Sequence, residues 1–140
     1  MDLQHLLDRA EIIDLITAYT RAVDTGDYER LGQVFTADAE MDYSSVGGPV
    51  GPPAEVVPWI AAGLRGFLRV QHVVGQVDVA IDVDRATATA YFTNPMVAPD
   101  RNGGERVVQC GGYYHHDLVR TPDGWRSCRI VDELVWASGF

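Results

Sequence analysis

Two ionisable residues fall where general acid/base chemistry could be built. Asp24, in RAVDTGDYERL, closes an apolar-faced run just before Thr25-Gly26, and His72, in VQHVVG, shares a predicted strand face with Val70 and Val74. A carboxylate at a helix end facing a strand imidazole would fix one tautomer of the ring, the arrangement of an oriented general base. Each residue has a plainer alternative. Asp24 can bond the amide of Gly26 or Asp27 as a turn residue, and His72 can be a core histidine satisfied by a backbone carbonyl. Tyr19, five residues before Asp24, and Tyr43, in MDYSS, could each donate to a developing oxyanion. Equally, both could be core aromatics with the hydroxyl at a wet edge.

The run GGYYHHDLVR, residues 111 to 120, alternates as a strand, with Tyr113, His115 and Asp117 on one face and Tyr114, His116 and Leu118 on the other. Only one of the two histidines can then face a pocket. Adjacent strand residues point oppositely and cannot easily chelate one ion, so no metal site is expected. Apolar lining for a mid-sized substrate is available in Phe35, Met41, Trp59, Phe67, Phe92, Met96 and Trp136. The same residues could be ordinary core.

Local patterns place these groups on elements. Ile12, Ile16, Tyr19 and Val23 recur at helical spacing and predict one buried stripe between Leu3 and Val23, with Asp24 at its edge. Asp8 and Glu11 resemble a capping box near its start. Asp27 is an N-cap for a short helix from Tyr28 to Phe35, and Ala39, Met41 and Tyr43 then alternate with Glu40 and Asp42 as a strand. SSVGGPVGPP, residues 44 to 53, is a loop that could act as a lid. A third helix begins near Pro53 and runs through Trp59, Ile60 and Leu64, with Pro58 expected in or near its first turn.

Strand signals follow in VQHVVG, VDVAIDV and ATATAYFTN, with a hairpin at Asp84-Arg85. A strand from Val107 to Arg120 turns at Pro122-Asp123-Gly124 and returns as Trp125 to Trp136. Helices first and an antiparallel run afterwards predict an α+β domain spanning residues 1 to 140, three helices packed on one face of a curved sheet.

Composition narrows the chemistry further. A net charge of −9 disfavours nucleic acid and anionic membranes as partners. All 11 basic residues are arginine, which excludes Schiff-base lysines and phosphate-loop lysines. No stretch reads as a secretion signal or membrane span, so a cytoplasmic location is expected. Cys110 and Cys128 do not oppose each other across the last hairpin, so no disulfide is expected.

EIIDLITAYTRAVDTGDYERLGQVFTADAEMDY, QHVVG and GGYYHHDLVRTPDGW together resemble the SnoaL-like group of the nuclear-transport-factor-2-like superfamily, over roughly residues 5 to 137. Within it the pattern is most similar to scytalone dehydratase and bile acid 7α-dehydratase. The resemblance implies a cystatin-like α+β cone whose strongly curved mixed or antiparallel sheet encloses a pocket, with chemistry that needs no cofactor. It places the family's Asp–His dyad on Asp24 and His72, a catalytic tyrosine on Tyr19 and a substrate-contacting tyrosine on Tyr43. Met96 stands where scytalone dehydratases carry a second histidine, and Asn94-Pro95 where the bile acid enzyme carries an aspartate. Further polar strand positions fall on Tyr113 and His115, and His115 could supply the missing second acid/base.

The expected activity is dehydration, isomerisation or cyclisation next to a carbonyl, on an apolar polyketide-like, aromatic or steroid-like molecule. The alternative is a non-catalytic small-molecule-binding or assembly domain of the same fold. Relatives of this shape imply a homodimer or homotrimer through the open sheet face, with Trp125, Val131 and Val135 as exposed strand residues.

Overall fold

The computed structural model describes residues 2–140. Helix α1 spans Leu3–Thr25 and is capped by Asp2, whose carboxylate accepts from the His5 amide at 2.9 Å. It therefore starts a turn and a half before Asp8. Asp8 is not a cap: it lies buried inside the helix and accepts from Arg120 Nη1 and Nη2 at 2.7 and 2.9 Å and from Trp125 Nε1 at 3.1 Å. Ile12, Ile16, Tyr19 and Val23 form the buried stripe the spacing predicts. Gly26 ends the helix at φ 71°, a left-handed conformation that glycine adopts without steric cost, and Asp27 caps helix α2, Tyr28–Gln33. That helix stops before Phe35, which instead opens strand β1, Phe35–Asp42.

The Gly/Pro-rich stretch contains a single 3-10 turn at Ser44–Val46 and the two-residue strand β2, Val50–Gly51. Helix α3 follows at Pro53–Leu64, burying Val56 and Ile60. Pro58 sits in the interior of α3 rather than in its first turn, so the helix gives up one backbone hydrogen bond there.

The remaining strands are β3 (Arg69–Val70), β4 (Val73–Asp82), β5 (Arg85–Pro99), β6 (Glu105–Thr121) and β7 (Gly124–Ser138). The two predicted strands VQHVVG and VDVAIDV are largely one element, β4, interrupted by a bulge between Val74 and Val77. Its turn to β5 lies at Val83-Asp84, and Val83 holds φ 53°, a strained value for a β-branched residue. Arg120 braces this turn, donating to the Val83 carbonyl at 2.8 Å and to Asp84 at 2.9 Å.

The seven-stranded sheet runs β2-β1-β7-β6-β5-β3, with β4 also paired to β5. β1 and β7 are parallel and the other pairs antiparallel. The sheet is curved and unclosed, and the helices cover its concave face. The core lies between them, where α1 contributes Ile12, Ile16 and Tyr19, α3 contributes Val56 and Ile60, and β5, β6 and β7 contribute Phe92, Leu118 and Trp125. Trp125 is fully buried, not exposed as its strand position suggests.

A bulge decides what β7 presents inward. Leu118 pairs with Ser127 and Asp117 with Arg129, so Cys128 is an extra residue on β7. Trp125 and Ser127 point inward before it, and Ile130 and Asp132 after it.

Candidate active site

His72 lies between β3 and β4 in a short link anchored by the Gln71 amide, which donates to the Pro95 carbonyl at 3.0 Å. Asp24, in the last turn of α1, grips it at two points. The His72 amide donates to Asp24 Oδ2 at 2.9 Å, and Nδ1 lies 2.6 Å from Oδ1. An ionised carboxylate only accepts, so Nδ1 carries the proton and Nε2 keeps a lone pair for the cavity that His72 lines. The two side chains are 6% and 14% exposed. Asp24 thus holds a ring from the far side of the fold rather than capping its own helix.

The cavity has a volume of about 230 Å³. Its polar wall comprises Tyr19, Tyr43, His72, Asn94, Tyr114 and Asp132, and Trp59, Ile60, Phe67 and Met96 supply much of the apolar side. The Tyr19 and Tyr43 hydroxyls are hydrogen-bonded to each other, and the Tyr114 ring stands edge-on to Tyr19 at 5.1 Å. Burial pushes all three phenols above their ordinary pKa, so they remain protonated and serve as donors. Phe92 lies behind this wall, stacked on Tyr114 at 4.0 Å.

Asp132 is 6% exposed and its Oδ1 has no hydrogen-bond partner among the described residues. Burial, with a smaller contribution from Asp42, pushes its carboxyl up to about 7. Asn94 Oδ1, 7% exposed for the residue as a whole, is also unpartnered.

Of the residues the sequence singles out, Tyr19, Tyr43, His72, Asn94, Trp59 and Met96 converge on this cavity, with Asp24 directly behind His72. Phe35 does not line it: the ring is buried in the core, edge-on to Tyr19 at 6.2 Å. Met41 is likewise wholly buried core. Tyr113, His115 and Trp136 lie on the opposite, convex face. Tyr113 packs against Tyr91 there, at 4.8 Å, and Trp136 lines the same outer groove. His115 bridges Thr89 Oγ1, at 3.1 Å, and Glu133, at 2.7 Å. His115 therefore cannot be the second acid/base of this cavity. A strand side chain changes face with every residue, and a motif match fixes the neighbourhood of a residue more firmly than its face.

The inward histidine is His116, bonded to Ser127 Oγ at 2.9 Å. Burial pushes its pKa down to about 4, so it stays neutral. Sequence reasoning missed Tyr114 and Asp132. Tyr114 shares a face with Val108 and Leu118, and that apolar alternation was a usable signal. Asp132 was passed over although the expected outward facing of Trp125, Val131 and Val135 leaves it inward by alternation; the structure buries Trp125 as well, and the extra residue at Cys128 lets both face the interior.

Residues 4–131 match the sequence profile of the SnoaL-like domain. An uncharacterised protein of Mycobacterium tuberculosis is 38% identical over 133 residues, covering 94% of this chain and 88% of the relative. A protein of known structure from Kribbella flavida superposes with a TM-score of 0.86 at 28% identity, over 96% of this chain and 95% of that one. A candidate scytalone dehydratase from Novosphingobium aromaticivorans superposes equally well, at 0.86, over 97% of this chain and 89% of its own. Its 13% identity makes that a likeness of fold alone.

Proposed function

The chain belongs to the SnoaL-like family of the nuclear-transport-factor-2-like superfamily, and from that premise we propose that it is a general acid/base enzyme acting next to a carbonyl on a small apolar molecule. The observation that carries this reading is the His72–Asp24 pair at the wall of a largely apolar cavity. His72 Nε2 takes a proton from the carbon beside the carbonyl. The electron pair moves onto the carbonyl oxygen, and the enolate so formed accepts a hydrogen bond from the hydroxyl pair of Tyr19 and Tyr43.

If a β-hydroxyl is present, the imidazolium returns the proton to it. Water leaves and the enolate collapses to an enone. Without a leaving group, returning the proton to a different carbon moves a double bond. Dehydration is the preferred reading, in keeping with the resemblance of the sequence around Asp24, Tyr43 and His72 to scytalone dehydratase and bile acid 7α-dehydratase. The positioned base supplies on the order of 10²–10⁴-fold, and the carboxylate acts through it by holding the ring in the reactive tautomer and orientation.

Cavity size limits the substrate. An apolar cavity of roughly 150 Å³ takes benzene, so about 230 Å³ suits a one- or two-ring aromatic or polyketide-derived compound and is small for a four-ring steroid.

The test is turnover of β-hydroxy ketones, enones and aromatic polyols, followed by ultraviolet absorbance, for wild type, Asp24→Asn and His72→Ala. Both variants should lose at least about 10²-fold in kcat while circular dichroism stays native. Binding without turnover, the same in all three proteins, would make the chain a carrier instead.

A further inference from the structure

Asp132 is a buried carboxyl that the dyad mechanism leaves unused. We propose that Asp132 forms the oxygen-binding end of the substrate site, a neutral carboxylic acid that donates its proton in a hydrogen bond to the carbonyl oxygen of a cyclic ketone or enone. The proposal rests on the enzyme reading for its substrate class, while the binding contact stands independently of turnover.

Position is the first argument. Asp132 pairs with Tyr114 of β6, which pairs with Ala90 of β5, whereas His72 immediately precedes Val73, the partner of Thr93 on the far side of β5. The acid and the base therefore occupy different walls of one cavity, three strands apart, and a ring held between them has its oxygen at one and a C–H bond at the other. Tyr43, which directly follows β1, belongs to the acid's wall, since Asp42 of β1 pairs with Val131 of β7.

The second argument is solvation. Asp132 lines the cavity, is more than nine-tenths buried, and its Oδ1 has no partner among the described residues. An ionised carboxylate so placed requires a cation or several donors, and no arginine lines the cavity. The titratable groups around it are Tyr19 from α1, Asp42 and Tyr43 from the β1 side, Tyr114 and Cys110 from β6, and His72 across the cavity. No titratable side chain of α3 or β5 lines it. The phenols and the thiol stay protonated, and Asp42 adds negative charge, so every neighbour but a protonated His72 favours the neutral acid. A carboxylic acid kept neutral in an apolar site is known to serve as an oxyanion donor in this way.

A ketone that accepts hydrogen bonds and cannot ionise reports this contact without turnover. The probe is 1-tetralone, a two-ring ketone, titrated by quenching of tryptophan fluorescence between about pH 6 and pH 8.5. Wild-type affinity should fall about tenfold or more across that range as the donor proton is lost. Asp132→Asn keeps an N–H donor that does not titrate, and should bind within a few-fold of wild type at low pH with a flat profile. Asp132→Ala should bind about tenfold more weakly at low pH and also be flat. The infrared band of a protonated carboxyl should vanish in both variants. A pH-independent wild type, an Asn variant as weak as the Ala variant, or a carboxyl band unchanged by substitution would each overturn the proposal. His72→Ala separates the two readings, because it should abolish turnover and keep both the fall of tetralone affinity with pH and the protonated-carboxyl band.

Discussion

Asp8 and Asp132 are the same residue type, both more than nine-tenths buried, and their environments drive them in opposite directions. The Arg120 guanidinium beside Asp8 holds its carboxyl well below the usual 3.8, whereas burial among phenols raises Asp132 to about 7. The consequences for stability have opposite signs. Asp8 contributes stability that is present above its ordinary pKa and is lost as pH falls below about 4. Asp132 contributes stability that is fully present below about pH 4 and is lost as pH rises through about 7. Urea unfolding across this range should show Asp8→Asn destabilised at neutral pH and approaching wild type near pH 2. Asp132→Asn should gain on wild type between about pH 4 and pH 8, by up to about 4 kcal/mol. Parallel profiles for Asp132→Asn and wild type would mean that the carboxyl is not shifted.

At the scale of elements, bulges set the cavity more than strand identity does. The β6–β7 ladder slips between Gly111 and Gly112, and a Cβ on Gly112 would stand 1.9 Å from the Glu133 carbonyl oxygen. That is backbone against backbone, with no flexible end to move aside. Gly112→Ala should therefore destabilise by at least about 2 kcal/mol. Gly32, inside α2 with open space around its would-be Cβ, should accept alanine with a gain of about 0.5–1 kcal/mol. Denaturant midpoints for the two variants test the contrast, and equal shifts would remove the argument. Much of the element map was legible in the sequence. The stripe of α1, the Gly26 stop and the Asp27 cap are local signals, and hydrogen bonds within a few residues satisfy them. Asp8 was misread as a cap because its real partners, Arg120 and Trp125, lie more than a hundred residues away.

Over the whole molecule, the concave face is filled and the convex face is not. Tyr91, Val107, Val135 and Trp136 are 40–59% exposed on or beside the last three strands. With Trp125 removed from the expected contact set, these residues, together with Val131, are what a homodimer or homotrimer would cover. Light scattering should show such an oligomer at micromolar protein, and Trp136→Asp should dissociate it. Added salt should strengthen association, because each chain carries a net charge of −9. A wild-type monomer under those conditions would dispose of the interface.

The sequence by itself determined the α+β order of elements, the helix that delivers Asp24, and the strand signal around His72, because helical periodicity, glycine stops and apolar alternation are properties of neighbouring residues. It also supplied the motif that pairs Asp24 with His72. Only the tertiary structure decided which face of β6 looks inward, that Tyr113, His115 and Trp136 stand outside the cavity, and that Trp125 and Asp132 of β7 both face inward. Strand facing depends on register and on two extra residues of β7, Cys128 and Val135, and those are specified by pairing between strands rather than by the local chain.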